Sequence, residues 1–245
     1  MTKELPVKFR DFSMDEEVVV AIKLIQNGLF ELKRIDGQDD FLHLPMLLLS
    51  NGFERLMKLI LCGVAHKNTG SYPSKNEIKT MGHKLDRLFK KVKEKCFPET
   101  YLNDFYFARQ DKELLDDPIL IELIELLADF ASTDRYYDMD CIGGENKIEN
   151  GDRKLHPEDK WGKLENKLIE EQHPEWFEEY GIPFNNVTEK VSLELVKIIE
   201  KFARALCRMF RSKNAGHRLY LNSPEVNCFT QLNDKDLGKL KYIKK

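Results

Sequence analysis

An arginine and a histidine six residues apart, Arg211 and His217, are the side chains of this 245-residue sequence whose types and spacing best fit catalysis. A guanidinium can hold a phosphate and stabilise the negative charge that develops on it, and an imidazole exchanges protons near neutral pH. Both lie within a basic run, residues 201–218, and no acid occurs from 201 to 224. We therefore predict a site that handles a phosphodiester, with Arg211 and His217 in catalytic roles.

The basic run lies on a helical pattern that must orient its cations. At about 100° per residue, three arginines share one helix face, and the apolar residues of the same segment cluster on the opposite face. This predicts a row of guanidinium groups turned away from the core. Asn214, just beyond the helix, is predicted to orient the imidazole or the phosphate as a third catalytic residue. The cations predicted to bind substrate are Arg204, Arg208, Lys213 and Arg218.

The same residues have a plainer interpretation, which the sequence leaves open. An arginine followed by a histidine five to seven residues later is expected roughly once by chance in such a chain. Cations near a helix C-terminus also interact favourably with the helix dipole, and Gly216 suits a left-handed cap. A structural helix end is therefore the alternative to a catalytic site.

Composition and motifs limit the other functions. A net charge of −3 argues against a general nucleic-acid coat but allows a local basic site. The five cysteines show no CxxC spacing and fit free thiols in the cytoplasm. No signal peptide or membrane span is expected.

The patterns of nucleotide-binding loops and zinc sites do not occur, so we expect no cofactor or metal. A near match to a calcium loop, residues 138–149, has Ile142 where a ligand is needed, which favours an exposed turn.

Hydrophobic periodicity predicts an all-α protein in one domain, residues 1–245. We expect about six or seven helices and a small irregular C-terminal piece, in which 219–221 and 226–230 form short strands or irregular structure. A capping box at 13–16 is predicted to start the first helix, and Asp116 or Asp117 is predicted to cap the helix that begins at 118. We expect a loop insertion at about 138–156 and a basic tail at about 234–245. Helices are predicted at about 14–33, 44–66, 84–97, 118–135, 158–180 and from 187 or 188 through 211.

A second basic surface is predicted on the outer face of the helix at 84–95. A solvated exterior is the plainer interpretation of this surface, and a phosphate-contacting face is the functional one. His83 directly precedes it, and the sequence does not decide whether His83 and this face belong to the site of Arg211 and His217.

Three short motifs resemble those of the HEPN superfamily. Arg211 and His217 match its R-x4-6-H motif, with Ser212 where the family often has Asn, Asp or His. Glu54 and Lys58 resemble its recurrent E-x-x-x-K helix. Residues 82–88 resemble its G-H-x-L-x-x-L segment.

This resemblance implies an all-helical RNA endonuclease of the kind found in toxin–antitoxin and phage-defence systems. Such enzymes need no metal: the 2′-hydroxyl attacks the neighbouring phosphate and leaves a 2′,3′-cyclic phosphate. The resemblance also implies a homodimer with an arginine and a histidine from each chain, single-stranded RNA as substrate, and possibly an antitoxin or other partner protein. The alternatives are a non-catalytic helical domain that binds nucleic acid or a protein, and a bundle whose basic face docks an acidic partner.

Overall fold

A computed structural model describes residues 5–36, 41–144, 148–149, 152–176, 185–221 and 224–242. This part of the chain is all-helical apart from a hairpin of two-residue strands, β1 (Ile148–Glu149) and β2 (Asp152–Arg153). None of its helices is long and apolar enough to cross a membrane. The α-helices are α1 Val7–Leu32, α2 His43–Thr69, α3 Lys75–Met81, α4 Leu85–Lys95, α5 Glu99–Asp104, α6 Ala108–Leu114, α7 Pro118–Ser132, α8 Tyr137–Ile142, α9 Pro157–Gln172, α10 Asn185–Arg211, α11 His217–Leu221 and α12 Asn227–Thr230.

The long helices α1 and α2 form an antiparallel pair held at close range by two glycines. A Cβ atom on Gly28 would lie 2.7 Å from Leu49, and one on Gly52 would lie 2.7 Å from Ile25. Helix α10 packs against this pair, and its buried Phe202 has a ring centroid 4.8 Å from that of Phe53 in α2. The apolar stripe predicted for α10 therefore does face the core.

The predicted all-α class is confirmed, but the chain has more helices than the six or seven predicted. Helix α8 lies in the predicted loop insertion, and α3, α5 and α6 occupy segments for which no helix was predicted. Helices α11 and α12 occupy segments predicted as short strands or irregular. Each has seven residues or fewer, which is too short for a clear periodic pattern. The extension of the fifth predicted helix beyond residue 176 lies outside the described residues.

Helix starts show one correct and one incorrect prediction. Asp117 caps α7 as expected, because its carboxylate accepts hydrogen bonds from the backbone N–H groups of Ile119 and Leu120 at 2.9 and 3.0 Å. Ser13 does not cap α1, which begins at Val7, and its hydroxyl instead donates to the Phe9 carbonyl within the helix. The segment 138–142 is also helical rather than the turn expected from the near-calcium pattern.

The C-terminal segment, predicted as a basic tail, is hydrogen-bonded to the helical bundle as far as residue 242. Lys33 of α1 donates to the carbonyls of Gly238 and Leu240 at 2.7 and 2.9 Å. The fully buried Glu200 of α10 accepts from the Gly238 N–H at 2.6 Å and from the Tyr242 hydroxyl at 2.7 Å. Charged groups inside the bundle thus hold this segment against α1 and α10.

Candidate active site

The arginines of α10 do not form an outward row, so that prediction is wrong. Arg204 is only 9% exposed and donates to the Leu232 carbonyl at 2.9 Å and to Asp234 at 2.7 Å. Arg208 donates to Asp111 of α6 at 2.7 Å. The flank of α10 opposite its apolar stripe is covered by α6 and by the C-terminal segment, and these guanidinium groups fasten both to the bundle. Arg204 and Arg208 are therefore structural cations rather than substrate contacts.

The burial of the Asp111 carboxyl makes folding sensitive to pH. Burial raises the pKa of Asp111 to about 6 from an ordinary 3.8, although the adjacent Arg208 lowers it. The folded protein therefore keeps a proton that the unfolded chain releases, so stability present below pH 3.8 is lost as the pH rises through 6. We expect Asp111→Asn to remove this loss, which is on the order of 2 kcal/mol. Urea unfolding between pH 4 and 7 measures this loss of stability. If the free energies of unfolding of the variant and the wild type differ by the same amount at every pH, the prediction is contradicted.

The two residues of the R-x4-6-H motif lie around one tyrosine. Arg211 donates to the Asn227 side chain at 2.9 Å and to the Tyr220 carbonyl at 3.4 Å. The exposed His217 ring stacks on the Tyr220 ring at 6.1 Å, and the Lys213 ammonium lies 4.7 Å from the same ring. Three of the predicted residues thus meet at an exposed turn, whereas the side chain of Arg218 lies outside the described set.

Asn214 faces the interior, which contradicts its predicted role. It is 5% exposed, and its amide nitrogen donates to the carbonyl of Cys96 at the end of α4. The turn also packs on α2, because Gly63 lies directly against the carbonyl of Ala215. Asn214 therefore anchors the turn to the end of α4.

Gly63→Ala is expected to push this turn away from α2 and lower the free energy of unfolding by about 2 kcal/mol. The added Cβ would lie 2.1 Å from the Ala215 oxygen, and this neighbour is backbone. Urea denaturation measures the loss. Gly162→Ala in α9 is the matched control, because its Cβ would meet nothing within 4 Å and should stabilise the helix by about 0.5 kcal/mol. Equal stability of the two variants would show that the contact is not tight.

A cavity of about 770 Å³ opens elsewhere, between α1, α2, the α3–α4 region and the end of α7. None of its lining residues comes from the basic run at 201–218. Two carboxylates, Glu17 and Glu54, line it beside a larger number of cations. The cationic lining side chains are Arg10, Arg55, Lys58, Lys84 and Arg135.

Three side chains at this cavity form one hydrogen-bonded cluster, Glu54, Lys58 and His83. A single Glu54 oxygen lies 2.8 Å from the Lys58 ammonium and 2.8 Å from Nδ1 of His83. The Lys58 nitrogen is also 3.4 Å from the same imidazole nitrogen. The Glu54 and Lys58 side chains are each 18% exposed, while the His83 side chain is 84% exposed. Two motifs that the sequence separates by more than twenty residues therefore meet in space.

Local structure explains how these residues are positioned. Glu54 and Lys58 lie one turn apart on α2 and so project from the same face. His83 follows Gly82, which ends α3 with a φ of 79°, a conformation that glycine adopts readily. Lys91 of α4 donates to the Met81 carbonyl at 3.3 Å and holds the end of α3 beside the imidazole. The sequence marked the three cluster residues, but in motifs outside the predicted site.

The cluster is arranged for proton transfer. When the Glu54 carboxylate accepts the Nδ1 hydrogen, the neutral ring carries its lone pair on Nε2. The 84% exposure of the His83 side chain then leaves this lone pair open to a ligand in the cavity. Lys58 places a positive charge beside the ring, where negative charge on a phosphate would develop. This is the arrangement of a general base with an orienting carboxylate and an electrostatic stabiliser.

The remaining cavity cations differ in how they are held. Arg55 pairs with Glu17 across the groove between α1 and α2, and Arg10 donates to the Pro73 carbonyl at 2.8 Å. Within the described part of the chain, Lys84 and Arg135 form no ion pair with a carboxylate. Both are therefore placed to meet an anionic ligand. No sequence signal marked Arg135 or Arg10.

The basic face of α4 continues from the cavity at Lys84. Arg87, Lys90 and Lys95 are exposed on the same helix, whereas Lys93 pairs with Asp116. The face thus extends the positive charge around His83 away from the cavity.

Comparisons with known proteins assign no function to the site, so its interpretation depends on its geometry. No family model, no curated protein and no solved structure matches this chain. Among the described residues, no group of three or more His, Cys, Asp or Glu side chains is arranged to hold a metal ion. The resemblance to HEPN proteins rests on the three short motifs.

Proposed function

We propose that this protein is a metal-independent endoribonuclease and that its reaction centre is the cluster of Glu54, Lys58 and His83. The observation that carries the proposal is the convergence of this cluster inside a cavity ringed by cations. An oriented imidazole beside a lysine, with further cations for flanking phosphates, matches the requirements of phosphodiester cleavage.

Each side chain of the cluster has its own role in the proposed cleavage. Nε2 of His83 takes the proton of the 2′-hydroxyl, and the 2′ oxygen attacks the adjacent phosphorus. The bond from phosphorus to the 5′ oxygen breaks, the 5′ oxygen takes a proton from solvent, and a 2′,3′-cyclic phosphate remains. Lys58 stabilises the added negative charge during this exchange, and Glu54 keeps the ring in its productive tautomer. Single-stranded RNA is the fitting substrate, since unpaired nucleotides can adopt the in-line geometry.

The turn with Arg211 and His217 is a second location for the same chemistry. The observation that favours it is the meeting of Arg211, Lys213 and the exposed His217 around Tyr220. In this version two copies of the chain each contribute an arginine and a histidine, and a partner protein such as an antitoxin regulates them. The cluster at His83 is preferred because its imidazole has a hydrogen-bonded carboxylate and lies in a cavity.

A non-catalytic RNA-binding domain is the alternative within the same cationic surface. It predicts RNA binding that weakens steeply with salt, because binding phosphates releases counterions. It also predicts no product, and RNA affinity that is unchanged when His83 loses its imidazole.

The decisive experiment is cleavage of end-labelled single-stranded RNA by the purified protein in excess EDTA. We expect products that end in a 2′,3′-cyclic phosphate. The matched control is the same RNA with one 2′-deoxynucleotide at the mapped cut, which should resist cleavage there because the nucleophile is missing. RNA that stays intact in EDTA would contradict the proposal, as would equal cleavage of the deoxy-substituted site.

A further inference from the structure

We propose that the apolar inner wall of the cavity is a subsite for one nucleobase, that of the nucleotide whose 2′-hydroxyl attacks. The inference rests on the proposed RNA cleavage and adds a determinant of substrate preference to it. At about 770 Å³, the cavity is within the size range of pockets that enclose a whole small ligand, far more than a phosphate needs.

The cavity wall changes character along α2. From Asn51 to Cys62 it follows roughly 16 Å of helix at 1.5 Å per residue. The first part carries Glu54, Arg55 and Lys58, and the last part contributes Leu59 and Cys62. Burial raises the pKa of the Cys62 thiol to about 11, so this thiol is neutral and contributes apolar surface. Phosphate chemistry and an apolar floor therefore lie next to each other.

Two apolar side chains border this floor with much of their surface exposed. Ile78 of α3 is 39% exposed, and Leu5, ahead of α1, is 64% exposed. Ile78 precedes His83 by only five residues, through the turn at Gly82. A flat apolar group bound in the cavity beside Ile78 would remove exposed apolar surface from water.

A nucleobase fits this wall better than a hydrocarbon chain does. Polar side chains are interspersed with the apolar ones, among them Ser13 and Tyr72. The Ser13 hydroxyl donates to the Phe9 carbonyl at 2.9 Å, which leaves its oxygen to accept a hydrogen bond from a ligand. A base has apolar faces and polar edges, whereas an acyl chain would leave such groups unpaired. Lys84 and Arg135 are then available for the phosphates on either side.

The test is a double-mutant cycle between protein and RNA. The protein change is Ile78→Asp, and the RNA change is an abasic residue at the attacking nucleotide. Loss of base stacking should lower kcat/KM of the wild type by about 10- to 100-fold. The same abasic change should cost Ile78→Asp less than about threefold, because the contact is already lost. Ile142→Asp in α8, which is 79% exposed and outside the cavity, should behave as the wild type does.

The outcomes of this cycle distinguish failure of the proposed base subsite from failure of the proposed RNA cleavage. Equal abasic penalties in wild type and Ile78→Asp would overturn the subsite while cleavage itself stands. If no RNA is cut, the proposed function fails, and the same cycle run as binding of fluorescent 2′-deoxy oligonucleotides still tests the base contact. Tighter binding of dodecyl phosphate than of a nucleoside monophosphate would assign the wall to hydrocarbon and overturn the inference.

Discussion

Replacing Glu54 by glutamine is expected to slow RNA cleavage by about 100-fold, because the imidazole of His83 loses the carboxylate that fixes its tautomer. A carboxylate only accepts hydrogen bonds, whereas the glutamine amide can also donate to Nδ1 and so allows the other tautomer. Glutamine has nearly the same shape, so folding and RNA affinity should change little. Single-turnover rates measured from pH 5 to 9 give the loss and also report any displacement of the pH profile. A pH profile that changes shape marks Glu54 as a positioning residue rather than a part of the packing.

Glu17→Gln is the matched control for this prediction. Glu17 lines the same cavity and pairs with Arg55, but its carboxylate has no described contact with His83. It should change the rate less than about threefold. Adding His83→Ala to Glu54→Gln should cost little more than His83→Ala alone, since groups that act as one unit are not additive. Equal losses in the two glutamine variants would mean that cavity charge, rather than the orientation of His83, sets the rate.

Glu200→Ala is expected to lower the free energy of unfolding by about 4 kcal/mol. The carboxylate is fully buried and accepts hydrogen bonds from the Gly238 N–H and the Tyr242 hydroxyl. Without it, both donors remain inside the protein and unpaired, and the C-terminal segment loses its attachment to α10. Urea denaturation followed by circular dichroism measures the change.

Glu194→Ala provides the comparison on the same helix. Glu194 pairs with Lys197 one turn away at 2.5 Å and is 23% exposed, so its loss should cost less than about 1 kcal/mol. RNA cleavage by Glu200→Ala below its unfolding transition should match that of the wild type. The C-terminal segment contributes no residue to the cavity. Similar losses of stability in both variants would show that the buried contacts of Glu200 do not hold the segment.

Periodicity predicted the long helices well and the surroundings of α10 poorly. The apolar stripe of α10 identified its core face, because burial of that face follows directly from the spacing. The spacing does not reveal whether another part of the chain covers the opposite flank. Arg204 finds its partners at Leu232 and Asp234, 28 and 30 residues away. Contacts of this kind depend on the tertiary fold, so a row of arginines was mistaken for an open surface.

The candidate site was predictable only in part. The spacing of Glu54 and Lys58 places both on one face of a helix, and the sequence alone supports that much. His83 comes from a different segment, 25 residues beyond Lys58, and only the packing of α3 and α4 against α2 brings it to Glu54. Arg135, at the end of α7, has no neighbouring motif at all. The fold brings together two motifs that were not part of the site predicted from the sequence.

The most direct test of this account compares His83→Ala with His217→Ala in RNA cleavage with excess EDTA. Both residues are exposed histidines, so the two variants are matched in chemistry and in their small expected effect on folding. We predict that His83→Ala loses at least about 100-fold in rate and that His217→Ala stays within about threefold of the wild type. The opposite result, a loss confined to His217→Ala, would contradict the assignment and place the reaction at the turn of Arg211 and His217.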